Sequence, residues 1–170
     1  SIVSWIMSLL DKEPVKRAEK ALKYFNPKME VIILEESART ALDASNLLKC
    51  EVGAIVKSLL FKVENNFILC LVSGNKRCSL NKLKKITNIK DISMASPNEV
   101  KTQTGYTIGG VSPVGHIKKI EILIDNSLER FMHLYAAAGH PNCVFKIDFN
   151  SLKKITNGKI KELIEWDSQK

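Results

Sequence analysis

Cysteine is scarce in this chain of 170 residues. The four, Cys50, Cys70, Cys78 and Cys143, include no C-x-x-C pair and no histidine at zinc-ligand spacing. A disulfide scaffold and a zinc module are thereby excluded. Three of them stand in apolar runs and read as buried free thiols, which suits a reducing, cytoplasmic compartment. Aromatic residues make up only 6% and do not alternate with the basic ones, and no RRM, KH or helix-turn-helix signature is present. No apolar run is long enough to cross a bilayer; the N-terminal one, Ile2 to Leu10, also lacks the basic stretch of a signal peptide. G-K-[ST] and G-x-G-x-x-G are both missing, which excludes the common nucleotide-binding loops. There is no Ser/His/Asp order or Cys/His pair of a classical hydrolase, no internal repeat, and no pattern calling for a metal or a cofactor. Acid is short as well: 18 Asp+Glu face 26 Lys+Arg, a net charge of +8. That surplus favours a polyanionic partner, nucleic acid first and an acidic membrane second.

What is present is an ordinary globular balance, 45% hydrophobic and 26% charged, of a length that suits one domain over residues 1–170. Ile2, Trp5, Ile6 and Leu9 fall at helical spacing and predict a short N-terminal helix, set apart over residues 1–13, that packs on the body or on a second subunit. Pro14 opens a second helix with the stripe Val15, Ala18, Leu22 and Phe25, closed by Asn26-Pro27. Residues 29–34 read as a strand. Thr40-Ala-Leu-Asp43 resembles a capping box ahead of a stripe of Ala41, Ala44, Leu47 and Leu48. Residues 55–63 and 67–73 read as a hairpin. Ser79 caps a helix with Leu80, Leu83 and Ile86 inward. Ser96-Pro97-Asn98-Glu99 starts another that Gly105 stops. Residues 120–124, 134–138 and 143–147 read as strands, and a last helix starts at Asn150 or Ser151 and ends at Asn157-Gly158. The irregular alternation predicts a mixed α/β fold with a substantial antiparallel component.

Four segments carry candidate chemistry. Thr104 to His116, T-G-Y-T-I-G-G-V-S-P-V-G-H, holds four of the eight glycines, and no acid occurs from Val100 through Ile120. Backbone N–H groups of such a loop can receive a phosphate or a developing oxyanion, with Lys118 and Lys119 following; an ordinary surface loop is the plain alternative. Lys57 lies on a strand that is apolar on both faces, so it must snorkel, find a partner or line a pocket. Burial would lower its pKa or leave a desolvated cation able to hold an anion. Ala136-Ala-Ala-Gly-His-Pro-Asn142 suits a strand end opening on a cavity, with His140 either binding a substrate or sitting in a turn. Residues 76–90 carry six basic residues and no acid, among them Lys82, Lys84 and Lys85. They form either a solvated helix face or a phosphate-binding surface.

Together these pieces resemble the YbaK/EbsC family, the aminoacyl-tRNA deacylase domain also found inserted in prolyl-tRNA synthetases. The matching stretches are Glu36-Ser-Ala-Arg-Thr-Ala41, Glu51-Val-Gly-Ala-Ile-Val-Lys-Ser-Leu-Leu-Phe61, Leu71-Val-Ser-Gly-Asn75, Met94-Ala95, the glycine loop and Ala136-Ala-Ala-Gly139, in family order over about residues 15–157. The resemblance implies a curved, largely antiparallel, barrel-like sheet flanked by helices around a small pocket. It implies a free-standing hydrolase that cleaves the ester at the 3′ end of mischarged tRNA, typically tRNA(Pro), with a prolyl-tRNA synthetase as a conceivable partner. Lys57 matches the family's functional lysine and Gly109 to Pro113 its G-x-x-x-P loop; Gly139 and His140 fall at its small-residue pocket motif. The catalytic assignments that follow are Lys57 and Gly110. Thr40, Ile108, Gly109, Val111, Ser112, Pro113, Gly139 and His140 are expected to bind substrate, and Lys82, Lys84, Lys85, Lys118 and Lys119 to meet nucleic acid. A non-catalytic tRNA- or nucleotide-binding module of the same fold, and a basic interaction protein, are the competing classes. The amino acid removed and the choice between monomer and homodimer stay open.

Overall fold

The computed structural model describes residues 1–36 and 38–166. In chain order the elements are α1 (Ile2–Leu10), α2 (Glu13–Phe25), β1 (Ile32–Ile33), α3 (Ala41–Leu48), β2 (Ile55–Val63), β3 (Asn66–Ser73), β4 (Arg77–Cys78), α4 (Leu80–Thr87), β5 (Ile92–Met94), α5 (Pro97–Thr104), β6 (Glu121–Asp125), β7 (Leu134–His140), β8 (Cys143–Ile147), α6 (Phe149–Thr156), β9 (Lys159–Lys161) and β10 (Ile164–Glu165). Single 3₁₀ turns stand at Val52–Ala54 and Asn126–Arg130.

The caps explain the helix starts. Thr40 and Asp43, and again Ser96 and Glu99, exchange hydrogen bonds in full capping boxes, and Pro97 takes the first turn of α5. Gly105 ends α5 in the left-handed conformation. Asp148 caps α6, two residues ahead of the expected start, because its carboxylate reaches the Ser151 N–H. The expected strand over 29–34 shrinks to Ile32–Ile33, where β8 supplies a partner.

The hairpin of β2 and β3 is the centre of an eight-stranded sheet ordered β1-β8-β7-β2-β3-β6-β9, with β5 also paired to β2; β4 and β10 form a separate ribbon. The β2–β3, β2–β5, β7–β8 and β1–β8 pairs are antiparallel. The β2–β7, β3–β6 and β6–β9 pairs are parallel. The sheet is therefore more mixed than expected, since β6 and β7 each return through a long connection, as parallel pairing requires. It is also not a closed barrel: β1 and β9 stay at opposite ends, and strands of two and three residues supply no closing ladder.

The two faces of the sheet carry separate cores. One joins Val56, Leu60, Leu69 and Leu71 to α2, α6 and the glycine loop. The other joins Phe61, Ile68, Cys70 and Val72 to Leu83 and the C-terminal Leu163 and Ile164. On α2 the residues Val15, Ala18 and Leu22 are fully buried, while Phe25 at its end stays partly exposed. Each buried Val or Leu contributes about 1.5–3 kcal/mol. α1 forms as expected, but only Leu9 is buried; Ile2, Val3, Trp5 and Met7 remain exposed, so the predicted stripe packs at one end alone. All four cysteines are free, with Cys70 and Cys143 buried and Cys50 and Cys78 half-buried. No helix of the described residues is long and apolar enough to cross a membrane.

Candidate functional site

β3 takes one edge of β2 along the strand's length, from Val56 to Val63. On the other edge β7 pairs only with Ile55 and Val56, and β5 only with Phe61, Lys62 and Val63. The Leu60 carbonyl accepts from Ala95 N–H, so on this edge Lys57, Ser58 and Leu59 form a gap without a strand partner. A cavity of about 260 Å³ opens at this gap. It is small against the roughly 300–1,000 Å³ of pockets that take drug-sized ligands. Its walls are mostly apolar: Val56, Leu60, Ala95, Val111, Ala136 and Val144 line it, with Ile108 and Met94 exposed at the rim.

Few polar side chains reach it. Ser58 is one: its hydroxyl is buried and has no hydrogen-bond partner. Lys57 lines it as well, but its half-buried side chain leaves the opposite face of β2 from Ser58 and its ammonium donates to the Lys76 carbonyl beyond β3. Burial holds its pKa below the ordinary 10.5, with the nearby Cys78 opposing that shift and Arg77 adding to it. Thr40 stands at the rim and spends its hydroxyl on the cap of α3. Arg39 beside it is exposed and lines the same cavity.

The glycine loop closes the opposite side. Arg17 on α2 fastens it, donating to the carbonyls of Thr104, Gly105 and Gly115 while Glu13 holds the guanidinium from behind. The guanidinium also stacks on the Tyr106 ring at 4.5 Å. Tyr106, fully buried, donates its hydroxyl to the Val114 carbonyl, and burial pushes its pKa up to about 12. His116 Nε2 donates to the Ser112 carbonyl at 2.6 Å, and burial keeps that imidazole below its ordinary 6.5. Thus clamped, the loop presents Ile108, Gly109 and Val111 to the cavity. The Gly110 N–H is spent on the Thr107 carbonyl, so it is not free to hold an oxyanion. The N–H groups of Gly109 and Val111 have no partner among the described residues.

Two sequence motifs meet here. A side chain on Gly110 would lie 2.9 Å from the Gly139 carbonyl carbon and the His140 nitrogen, so the glycine loop rests directly on the end of β7. Gly139 and His140 do not themselves line the cavity; Ala137 and Pro141, on either side, do. A bulge between Ala137 and His140 turns the chain. Gly139, at φ +92, faces the start of α2, where a Cβ would come within 2.6 Å of the Pro14 carbonyl oxygen. His140 Nδ1 accepts from the Asn142 N–H, which holds the imidazole in the turn. Ser112 and Pro113 are buried behind the loop, and the Ser112 hydroxyl accepts from the Val114 N–H.

The expected nucleic-acid lysines divide. Lys82 is engaged by Glu162 and the Ile164 carbonyl. Lys85, Lys118 and Lys119 are exposed, and Lys84 is half-buried. None of the five lines the cavity. Sequence reasoning missed Ser58, Arg39 and Arg17. The first two stand beside residues already singled out, and adjacency was the available signal. Arg17 carried none, since the loop carbonyls it holds lie 87 to 98 residues away.

Residues 35–155 match the family of aminoacyl-tRNA editing domains, and the chain belongs to that family. The uncharacterized protein YwhH of Bacillus subtilis (strain 168) is 31% identical over 136 residues, 80% of this chain and 87% of that protein. The proline–tRNA ligase of Kosmotoga olearia is 31% identical over 119 residues, 70% of this chain but only 19% of the ligase. The crystal structure of a candidate trans-editing enzyme for prolyl-tRNA synthetase superposes with a TM-score of 0.86 at 34% identity, covering 91% of this chain and 98% of that one. An editing domain of the deacylase kind is thus what the sequence and the fold define together.

Proposed function

We propose that the protein is a cytoplasmic hydrolase that acts in trans, cleaving the ester between a small, wrongly attached amino acid and the 3′-terminal adenosine of tRNA(Pro), and working beside prolyl-tRNA synthetase. One observation carries this reading. A small apolar cavity is bordered on one side by Lys57 and the gap in β2, and on the other by Gly109 and Val111 of a clamped glycine loop, whose N–H groups have no partner among the described residues.

An aminoacyl ester is already activated, so a positioned water suffices as nucleophile. Water adds to the carbonyl carbon and the carbonyl oxygen becomes an oxyanion. The 3′ oxygen then leaves with a proton, giving free amino acid and uncharged tRNA. Donors preorganised in a site that excludes water stabilise such an oxyanion most, because nothing reorganises when the charge forms. The Gly109 and Val111 N–H groups take that role here; the earlier expectation for Gly110 passes to its two neighbours. Lys57 anchors the terminal nucleotide or the polar groups of the substrate. It has three N–H donors and spends one on Lys76, so two remain. The walls around Ile108, Val111 and Ala137 limit the side chain admitted.

A panel of mischarged tRNAs tests the reading and names the amino acid. Hydrolysis of at least one small aminoacyl-tRNA(Pro), abolished by Lys57→Ala, is expected. Salt-sensitive tRNA binding without cleavage by the intact protein selects the binding-module class instead.

A further inference from the structure

A second concavity lies on the far end of the same loop. It is an open groove of about 580 Å³ between the C-terminal end of α2, residues 113–116 of the loop, residues 118–120 and the end of α6. Three exposed lysines line it, Lys118, Lys119 and Lys154, and no aspartate or glutamate does. The ion pairs among the described residues lie elsewhere, at Arg17–Glu13, Lys62–Glu99 and Lys82–Glu162. All three lysines therefore keep their charge for an outside partner. At the α2 wall stand two exposed aromatic rings, Tyr24 at 94% and Phe25 at 39%. An exposure of 94% leaves Tyr24 almost no packing role in the folded chain.

Aromatic faces beside a track of unpaired cations are what single-stranded nucleic acid binds: bases stack, and phosphates meet the lysines. The groove is also close to the cavity. Gly109 lines the cavity and Pro113 lines the groove, and four residues of chain span at most about 14 Å.

We propose that this groove seats the unpaired nucleotides that precede the 3′-terminal adenosine of the tRNA, with Tyr24 and Phe25 as stacking platforms and Lys118, Lys119 and Lys154 as phosphate contacts. It rests on the deacylase reading for its occupant. A strand held there leads its last nucleotide toward Gly109 and Lys57. The rigid loop between, fastened by Arg17, sets the distance from groove to cavity.

The test measures fluorescence anisotropy with uncharged tRNA and with a short single-stranded RNA ending in CCA. It compares the full chain with Tyr24→Ala, with Lys118→Ala/Lys154→Ala and with the control Lys146→Ala, which removes one exposed charge outside the groove. All are surface changes. Tyr24→Ala is expected to weaken both RNAs about tenfold. The double variant is expected to weaken them and to flatten the salt slope by about one for each lysine removed. Lys146→Ala is expected to stay within about twofold of the intact chain, as surface changes outside a contact do. Equal losses in all three variants would mean unlocalised charge and overturn the groove, as would unaltered affinity in Tyr24→Ala, or competition by acidic lipid vesicles as strong as by the CCA strand. Binding is read without ester cleavage. A failure of the intact protein to hydrolyse any aminoacyl-tRNA therefore overturns the deacylase reading, while normal binding by the groove variants overturns only the groove.

Discussion

Ser58 and Lys57 are neighbours on β2 whose side chains leave opposite faces of the strand, and they bear on stability in different ways. The Ser58 hydroxyl is desolvated and unpaired. A polar group in that condition costs about 1–3 kcal/mol, and removing it forfeits no hydrogen bond. Ser58→Ala is therefore expected to leave the unfolding temperature unchanged or higher, and a loss above about 1 kcal/mol in denaturant unfolding would mean that the hydroxyl has a partner after all. Lys57 is held below its ordinary pKa by burial. The native state thus penalises the ammonium at neutral pH, and the penalty fades only as pH rises through the folded pKa toward 10.5. Lys57→Met is expected to match or exceed the parent in thermal stability at pH 7 while losing deacylation; a matching loss of both would make the lysine structural. His116 titrates in a separate window. Its pKa is lowered by burial, so the unfolded chain binds the proton first, and stability falls as pH drops below about 6.5. Unfolding temperatures between pH 7.5 and 5 are expected to fall less steeply in His116→Gln than in the parent.

At the scale of elements, the rigid piece is the α2–glycine loop unit rather than the loop alone. Arg17 gives the loop three carbonyl contacts at once and sits over Tyr106. Arg17→Ala leaves those carbonyls short of a charged donor and is expected to cost about 2–4 kcal/mol. Deacylation should fall further than stability explains, read as a loss in kcat larger than any rise in KM at a temperature where the variant is fully folded. Gly139 packs on the same helix. Gly139→Ala puts a methyl into the Pro14 carbonyl at a backbone angle that favours glycine, and is expected to lower stability by at least about 1 kcal/mol in thermal unfolding. Both effects follow from how closely α2 lies on β7 and the loop, a contact that links residues near either end of the chain.

The net charge of +8 is the dominant property of the molecule as a whole, and it acts through where it sits. One of the lysines expected to meet nucleic acid, Lys82, is neutralised within the fold; Lys118 and Lys119 gather with Lys154 into one unpaired cluster. Binding of tRNA is accordingly expected to weaken steeply between 50 and 200 mM salt, by a hundredfold or more if several phosphates are contacted (roughly 10³–10⁵ for 6–10 contacts). Anisotropy titrations across that range measure the slope.

Much of the architecture follows from local signals. The capping residues Thr40, Ser79 and Ser96, the prolines at 14 and 97, and the two apolar runs parted only by Glu64-Asn65-Asn66 place the helices and the two central strands, because these act over short stretches of chain. The family motifs singled out Lys57 and Gly109 for the same reason: the chemistry sits in short contiguous stretches. The tertiary structure alone decides the rest. Whether Lys57 meets solvent or the Lys76 carbonyl, which N–H of the double-glycine turn stays free, and that Gly139 serves α2 rather than the cavity all depend on contacts between segments far apart in the chain. The openness of the sheet is of the same kind: closure depends on whether β1 and β9 meet, and neither short strand carries a pattern that says where the other will be.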